Sequence, residues 1–359
     1  MLNSTSKGSL SDVFAGVLLG TAVGDSLGLP VENMSPRRIH RLRKGEWKHR
    51  FFLGRGLVSD DTEHALFVAQ ALLAQPNNAN SFQKCLAWKL RAWLLGLPAG
   101  IGWATLRAVI RLWLGFHPNK SGVFSAGNGP AMRSAILGAY FAFEPEMLRS
   151  FVAASTRITH TDPKAEVGAL AVARAVAWTI QYGHRSDRVE NLLDLLKREP
   201  VDEEWLAILN QFQSAWQAGR SVADFAHELG LQNGVTGYIY HTVPVAIFAS
   251  LRHGEDFVGG LQAALDCGGD TDTVGAVTGA IMGSTVGKSG IPSELRSGIV
   301  EWPRSCQLLE RVAERLSEQK IKGQILGPVQ YFWPALVVRN LFFVVIVLLH
   351  GLRRLAPPY

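Results

Sequence analysis

The chain has 359 residues, of which 47% are hydrophobic and 18% are charged, and it contains three cysteines. This composition excludes disordered, collagen-like and disulfide-stapled chains, because there is enough apolar sequence to bury a core without crosslinks. The cysteines are far apart and lack metal-ligand spacing, so we expect reduced thiols in a cytoplasmic protein and no zinc site built from cysteine. The formal charge of +6 permits contact with a polyanion.

Two predicted helices carry a glycine at every fourth position. The first set is Gly16, Gly20, Gly24 and Gly28, and the second is Gly275, Gly279, Gly283 and Gly287. An interior glycine costs a helix about 1 kcal/mol relative to alanine, so this period needs a reason in packing. Four-residue spacing removes the side chains from one face and lets another backbone approach closely. We therefore predict that the two helices pack on each other, which would bring Asp25 near Asp270 and Asp272.

Seven lysines and arginines lie between Arg37 and Arg50. Such a cluster is typical of a solvated helix or loop face, and the alternative is contact with a polyanion or a protein partner. The cluster carries no nucleic-acid motif with interleaved aromatic residues, so we do not expect sequence-specific nucleic-acid binding.

Two clusters of carboxylates and hydroxyls stand at predicted helix starts, S-D-D-T at residues 59–62 and G-G-D-T-D-T at residues 268–273. In the simpler interpretation they are helix caps, since Ser or Asp at the N-cap and acids in the first turn stabilise a helix. Capping needs one acid, however, and not a D-T-D-T string. The two clusters also suit a hard cation bound by oxygen ligands, which favours Mg²⁺ or Mn²⁺ over iron and zinc, with Ca²⁺ as an alternative.

Two segments between these clusters offer small residues and a histidine. In G-N-G-P-A-M-R at residues 127–133, Pro130 is expected to open a helix that runs to about Ala142. A helix N-terminus after a small-residue turn is a ready anion site, although this segment lacks the third glycine of a dinucleotide fingerprint. T-H-T-D-P at residues 159–163 introduces an alanine-rich helix and leaves His160 as either a core histidine or a ligand of phosphate or ribose.

The C-terminal segment is apolar and basic. Residues 341–349 form a continuous apolar run that follows Arg339 and Asn340 and precedes Arg353 and Arg354. The run is shorter than the roughly 20 residues that a spanning helix needs. Three alternatives stay open: a helix that lies on a membrane or docks on a partner, a helix packed on its own domain, and a tail anchor.

In order and spacing, five motifs resemble the ADP-ribosylglycohydrolase family, whose founding type is the dinitrogenase reductase-activating glycohydrolase. They are G-x-x-x-G-x-x-x-G-D-S-L-G-x-P-x-E at residues 16–32, S-D-D-T at 59–62, G-N-G-x-A-M-R at 127–133, T-H-T-D-P at 159–163 and G-G-D-T-D-T at 268–273. The resemblance implies an all-α, orthogonally packed helical bundle. It also implies a catalytic domain over residues 1–320, and residues 321–359 would be an extension of unknown role.

By this resemblance the chain hydrolyses the bond between ADP-ribose and a modified protein side chain. Two divalent cations, Mg²⁺ or Mn²⁺, would be held by Ser59, Asp60, Asp61, Asp270, Asp272 and Thr273. ADP-ribose would be bound by Gly127, Asn128 and Gly129, with Met132 nearby and His160 on the ribose or phosphate side. The catalytic residues would be Asp60, Asp61, Asp272 and Glu32. Glu32 follows a Gly-x-Pro break, so we expect it on a mobile loop.

The leaving group stays open at this point. Arginine-linked ADP-ribose is the first expectation, by analogy with the founding type, and serine-linked or other conjugates are alternatives. A different class is an immunity protein that neutralises an ADP-ribosyltransferase, for which the unmatched tail would be an interaction device. A catalytically silent ADP-ribose reader is disfavoured, because so many clustered acids repel one another unless a metal offsets the repulsion.

Overall fold

The computed structural model describes residues 9–183 except 44 and 46, residues 189–198 and residues 201–355. Within these ranges the chain forms 17 α-helices and two 3-10 turns, and its β-structure is limited to isolated bridges. The prediction of an all-α protein is confirmed. The helices are α1 (Leu10–Gly28), α2 (Pro36–Leu42), α3 (Asp60–Ala74), α4 (Ala79–Leu95), α5 (Trp103–Trp113), α6 (Ala135–Tyr140), α7 (Pro145–Arg157), α8 (Pro163–Tyr182), α9 (Val189–Lys197), α10 (Glu203–Gln217), α11 (Val222–Glu228), α12 (Ile239–His253), α13 (Phe257–Leu265), α14 (Thr271–Val286), α15 (Ser293–Ser297), α16 (Cys306–Lys322) and α17 (Ala335–Leu355), and the 3-10 turns are Leu29–Val31 and Ala131–Arg133.

Helices α1 and α14 pack on each other along their glycine faces. A Cβ atom placed on Gly20 would lie 2.0 Å from the carbonyl oxygen of Gly279, and one placed on Gly279 would lie 2.1 Å from that of Gly20. Gly16 and Gly283 make the same reciprocal contact. The predicted pairing is confirmed, and its cause is that only glycine lets two helix backbones approach this closely.

Two segments are long and apolar enough to cross a membrane, and their surroundings differ. Leu10–Val31 contains the central helix α1, and 94% of its apolar window is buried in the protein. That segment is therefore part of the core of this fold. Ala335–Arg354, within α17, is only 28% buried. One face of α17 packs on the domain and the opposite face is apolar and exposed.

Helix α17 is longer than the apolar run that the sequence analysis identified. It begins at Ala335 and includes Arg339 and Asn340, whose side chains are buried. Arg339 pairs with Glu301, and Asn340 Nδ2 donates to the carbonyl oxygen of Gly96 at 2.6 Å. These polar groups do not interrupt the helix, because they find partners in the domain. The inner face of α17 thus packs on its own domain, while its outer face stays exposed. The membrane and partner alternatives concern that outer face.

Candidate active site

The S-D-D-T segment forms the start of α3 and faces α14. Ser59 is the N-cap, and its hydroxyl accepts a hydrogen bond from the Asp61 N–H at 3.2 Å. Asp61 Oδ2 accepts hydrogen bonds from the hydroxyls of Ser59, at 3.1 Å, and Thr273, at 3.2 Å. Since Thr273 lies in the first turn of α14, Asp61 joins the two clusters that the sequence analysis singled out. Capping and cation binding are therefore compatible in this segment.

The second carboxylate oxygen of Asp61 indicates which kind of ligand the site can hold. Asp61 is 1% exposed, and among the described residues no hydrogen-bond donor reaches its Oδ1. A buried carboxylate oxygen without a partner is unfavourable unless a cation binds it. Oxygen ligands of this kind are those that Mg²⁺ and Mn²⁺ prefer, so the residues present fit a hard divalent cation.

A second group of carboxylates consists of Glu32, Asp270 and Asp272. One oxygen of each side chain lies within 4.8 Å of the other two. Asn128 Nδ2 donates to Asp270 Oδ2 at 2.5 Å and to the Thr242 hydroxyl at 2.9 Å. The amide thereby orients Asp270 and links the G-N-G segment to the acidic cluster. Glu32, which the family resemblance implied as a catalytic residue, lies among predicted metal ligands.

Burial and mutual repulsion shape the electrostatics of the cluster. The carboxyl groups with raised pKa values are Glu32, Asp60, Asp61 and Asp272. Desolvation is the largest cause of each rise in pKa, and repulsion from neighbouring carboxylates adds to it. A divalent cation would oppose both effects, because it favours the ionised form. Cys267 lies beside the cluster, where burial raises the pKa of its thiol to about 12, and a soft thiolate suits hard cations such as Mg²⁺ poorly.

Asp25 of α1 orients the S-D-D-T segment. Its carboxylate accepts hydrogen bonds from the N–H groups of Ser59, at 2.9 Å, and Thr62, at 3.2 Å, and from the Thr62 hydroxyl at 2.5 Å. Burial raises the pKa of Asp25 to about 7, although these donors oppose the rise. The sequence analysis expected Asp25 beside Asp270 and Asp272, whereas its observed hydrogen bonds are with the start of α3. The only sequence signal for this role was an acid within an apolar helix.

The residues predicted to bind ADP-ribose meet around the G-N-G segment. A Cβ atom on Gly127 would lie 3.0 Å from His160 Nε2, and one on Gly129 would lie 3.2 Å from His160 Cε1. His160 Nδ1 lies 2.8 Å from the Thr159 hydroxyl oxygen. Burial, with a smaller effect of a nearby arginine, lowers the pKa of His160 to about 3, so the ring is neutral at pH 7. Met132 is buried in the adjoining 3-10 turn.

Pro130 does not open the continuous helix that the sequence predicts. The 3-10 turn Ala131–Arg133 comes first, and α6 starts only after it. Arg133 is fully buried and donates to the Ser155 carbonyl oxygen at 3.0 Å and to the Thr159 hydroxyl at 2.7 Å. A buried guanidinium needs several acceptors, and the turn directs Arg133 toward these two. The turn is thereby tied to the segment that carries His160.

Helix α17 also reaches this site. Arg354 donates to the carbonyl oxygens of Pro30, at 2.6 Å, and Glu32, at 3.0 Å. Arg339 donates to the carbonyl oxygen of Val58 at 2.7 Å, directly before the S-D-D-T segment. The sequence analysis gave these arginines no role in the site. Val58 is 281 residues away from Arg339 in the chain, and a local sequence pattern does not reveal a partner at that separation.

The chain matches the ADP-ribosylglycohydrolase family over residues 6–324. It is 32% identical over 320 residues to an uncharacterised protein of Archaeoglobus fulgidus, covering 86% of this chain and 97% of the relative. It is 29% identical over 294 residues to the ADP-ribosyl-[dinitrogen reductase] glycohydrolase of Rhodospirillum rubrum, covering 79% of this chain and 89% of the relative. A solved structure described as an ADP-ribosylglycohydrolase-related protein complex aligns with a TM-score of 0.67 and 25% identity, over 87% of this chain and 99% of that one. The helical bundle is thus of the ADP-ribosylglycohydrolase type, and the chain belongs to the ADP-ribosylglycohydrolase family.

Proposed function

We propose that this protein hydrolyses the glycosidic bond between ADP-ribose and a modified protein side chain, with arginine-linked ADP-ribose preferred and two Mg²⁺ or Mn²⁺ ions as cofactors. One observation carries the proposal: Asp61 is held by Ser59 and Thr273, while its other oxygen is buried and has no partner in the described part of the chain. Membership in a hydrolase family supports the reaction class. The Rhodospirillum rubrum relative, named for an ADP-ribosylated dinitrogen reductase, supports a modified protein as the substrate.

We assign the ions to Ser59, Asp60, Asp61, Asp270, Asp272 and Thr273, with Glu32 close to Asp270 and Asp272. Bound there, the ions would supply Lewis-acid chemistry, orienting the ribose hydroxyls and lowering the pKa of a water molecule. The chain's own groups prepare the site for them. Ser59, Thr273 and Asn128 orient carboxylates by hydrogen bonds, and Asp25 fixes the backbone at the start of α3. Such partners keep a ligand set in one geometry before the substrate arrives.

Glycoside cleavage passes through an oxocarbenium-like state and needs both a delivered water and protonation of the leaving group. We assign proton transfer to Glu32, Asp60, Asp61 and Asp272, the carboxyl groups of the acidic clusters, where the oxygens of Glu32 and Asp272 lie within 4.8 Å of each other. The neutral His160 and the backbone of Gly127 and Gly129 would line the ADP-ribose. A neutral ring can donate or accept a hydrogen bond there without adding charge.

The test is release of ADP-ribose from matched arginine-linked and serine-linked ADP-ribosyl peptides, in Mg²⁺, Mn²⁺ or EDTA. We expect release from the arginine-linked peptide that requires metal and stops in EDTA. Release from the serine-linked peptide alone would replace the arginine preference by the O-linked alternative. Release that persists in EDTA would contradict the metal centre. If neither peptide is cleaved while ADP-ribose still binds, the immunity protein that neutralises an ADP-ribosyltransferase, or a reader, becomes the better account.

For the tail, we propose that residues 1–320 are the catalytic domain of a cytoplasmic protein and that, within residues 321–359, the outer face of α17 contacts an anionic membrane surface. The most exposed apolar residues on the outer face of α17 are Val338, Leu341, Val345, Leu348, Leu349 and Leu352. Arg50 and Arg55 are exposed on the loop whose Phe52 ring packs on Phe342. Apolar side chains flanked by cations favour an interfacial helix on anionic lipid. The buried Arg339 opposes a helix that spans the bilayer.

Vesicle co-sedimentation tests the membrane contact. The full chain should bind vesicles with phosphatidylglycerol more strongly than vesicles of phosphatidylcholine alone. The double variant Leu341→Glu/Leu348→Glu should bind the vesicles at least about tenfold more weakly, because two apolar side chains no longer insert into the lipid. Ile321→Glu changes an exposed apolar residue outside α17 and is the matched control. Equal binding to both vesicle types, or self-association through this face without lipid, would contradict the proposal.

A further inference from the structure

We infer that α17 is a positioning element for the candidate site, in which Arg354 and His350 hold the Glu32 loop (residues 29–32) in place. The inference rests on the proposed function through the role given to Glu32. It concerns a helix beyond the family match, which ends at residue 324. The inference rests on hydrogen bonds from both halves of α17. Arg354 binds the Glu32 loop, and Arg339 binds Val58, directly before the S-D-D-T segment.

The C-terminal end of α17 binds the backbone of the Glu32 loop. Arg354 donates one hydrogen bond to the Pro30 carbonyl oxygen, at 2.6 Å, and another to the Glu32 carbonyl oxygen, at 3.0 Å. His350 Nε2 donates to the same Pro30 oxygen at 2.8 Å. One carbonyl oxygen has two lone pairs, so Pro30 accepts both bonds without conflict. These donors hold the loop from outside, while the Glu32 carboxylate belongs to the group with Asp270 and Asp272.

The N-terminal half of α17 binds the segment before the other cluster. Arg339 forms a two-bond ion pair with Glu301, at 2.8 and 2.6 Å, and donates to the Val58 carbonyl oxygen at 2.7 Å. Glu301 in turn accepts a hydrogen bond from the Val58 N–H at 3.3 Å. Both backbone polar groups of Val58 are therefore engaged by one buried ion pair. Ser59, the N-cap of α3, is the next residue, so its position depends on this pair.

Apolar packing joins the same two segments. Leu29, Phe51, Leu57, Phe343 and Ile346 form a small buried cluster that is separate from the main core. Leu29 belongs to the Glu32 loop, Leu57 precedes Ser59 by two residues, and Phe343 and Ile346 come from α17. Loops of this kind would otherwise be among the more mobile parts of a protein. The inner face of α17 thus restricts both segments at once, which is what a preorganised ligand set requires.

The test compares three single substitutions in the full chain: Arg354→Ala, Arg354→Lys and, as the matched control, Arg353→Ala. Arg353 is the exposed neighbour in the same helical turn, so its removal changes the same charge. We expect Arg354→Ala to weaken Mn²⁺ binding, measured by titration calorimetry, by about tenfold, which is the usual loss for a group that orients ligands. We expect kcat to fall by about tenfold, while KM, which we attribute to the G-N-G segment and His160, changes less than about twofold.

Arg354→Lys keeps the charge but donates from a single nitrogen where arginine donates from two, and it should recover part of both losses. Wild-type Mn²⁺ affinity and kcat in Arg354→Ala, or equal losses in Arg353→Ala, would overturn the inference, as would a loss of thermal stability with no change in Mn²⁺ affinity. If the wild-type chain cleaves no ADP-ribosyl peptide, the proposed function fails. The Mn²⁺ titrations still decide in that case whether α17 positions the carboxylates.

Discussion

Replacing Asp61 with asparagine is expected to lower kcat for ADP-ribose release by about 1,000-fold, because loss of an anionic ligand removes several kcal/mol of transition-state stabilisation. The fold should survive this change. The asparagine carbonyl oxygen can accept the hydrogen bonds that Ser59 and Thr273 now donate to Asp61 Oδ2. The amide also removes one negative charge from a cluster of repelling carboxylates. The free energy of unfolding without metal should therefore be unchanged or higher.

Steady-state kinetics in saturating Mn²⁺ and urea unfolding in EDTA measure the two effects separately. Asp256→Asn makes the same chemical change at an exposed helix N-cap and is the matched control. Mn²⁺ should raise the Tm of the wild type and the control, but not that of Asp61→Asn. The rise should shrink as the pH falls toward 5, since the raised pKa values of Asp61 and Asp272 retain protons that the cation must displace. Normal turnover by Asp61→Asn would rule out the proposed centre.

The helix pair and the acidic cluster are predictable because each leaves a local pattern. A glycine at every fourth position of two apolar segments has few explanations other than close packing of their backbones. The D-T-D-T string carries more acid than capping requires. Thr273 lies in the first turn of α14, and the pairing of α14 with α1 places that turn beside the start of α3. The hydrogen bond from Thr273 to Asp61 then joins the two acidic clusters in one site. A motif can thus predict membership of a site before the fold is known.

The contacts of Asp25 and Arg354 are not predictable in this way. An acid within an apolar helix can be a metal ligand or a buried hydrogen-bond acceptor. Asp25 is an acceptor for the N–H groups of Ser59 and Thr62, which lie 34 and 37 residues away in sequence. Arg354 meets Pro30 across 324 residues. Periodicity indicates which face of a helix is apolar, but not which neighbour covers it. The same limit applies to the continuous helix predicted from Pro130. The 3-10 turn that precedes α6 holds the buried Arg133, whose partners Ser155 and Thr159 are distant in sequence.

Replacing Gly279 with alanine is expected to lower the free energy of unfolding by about 3 kcal/mol or more, which is opposite in sign to the usual effect in a helix interior. The new Cβ atom would lie 2.1 Å from the carbonyl oxygen of Gly20. A backbone oxygen cannot rotate away as a side chain can, so α1 and α14 must move apart. Asp25 and Thr273 are on these two helices, and activity should fall together with stability.

Urea unfolding followed by circular dichroism checks this result against Gly351→Ala. Gly351 is also inside a helix, α17. Apart from its chain neighbours and the nearby backbone of α17, no described atom lies within 4 Å of a Cβ placed there. With space available, alanine should raise the free energy of unfolding by up to about 1 kcal/mol through helix propensity. Opposite signs for the same substitution would separate backbone contact from propensity. If both variants were stabilised, the close pairing of α1 and α14 would be wrong, and with it the arrangement that joins the two acidic clusters.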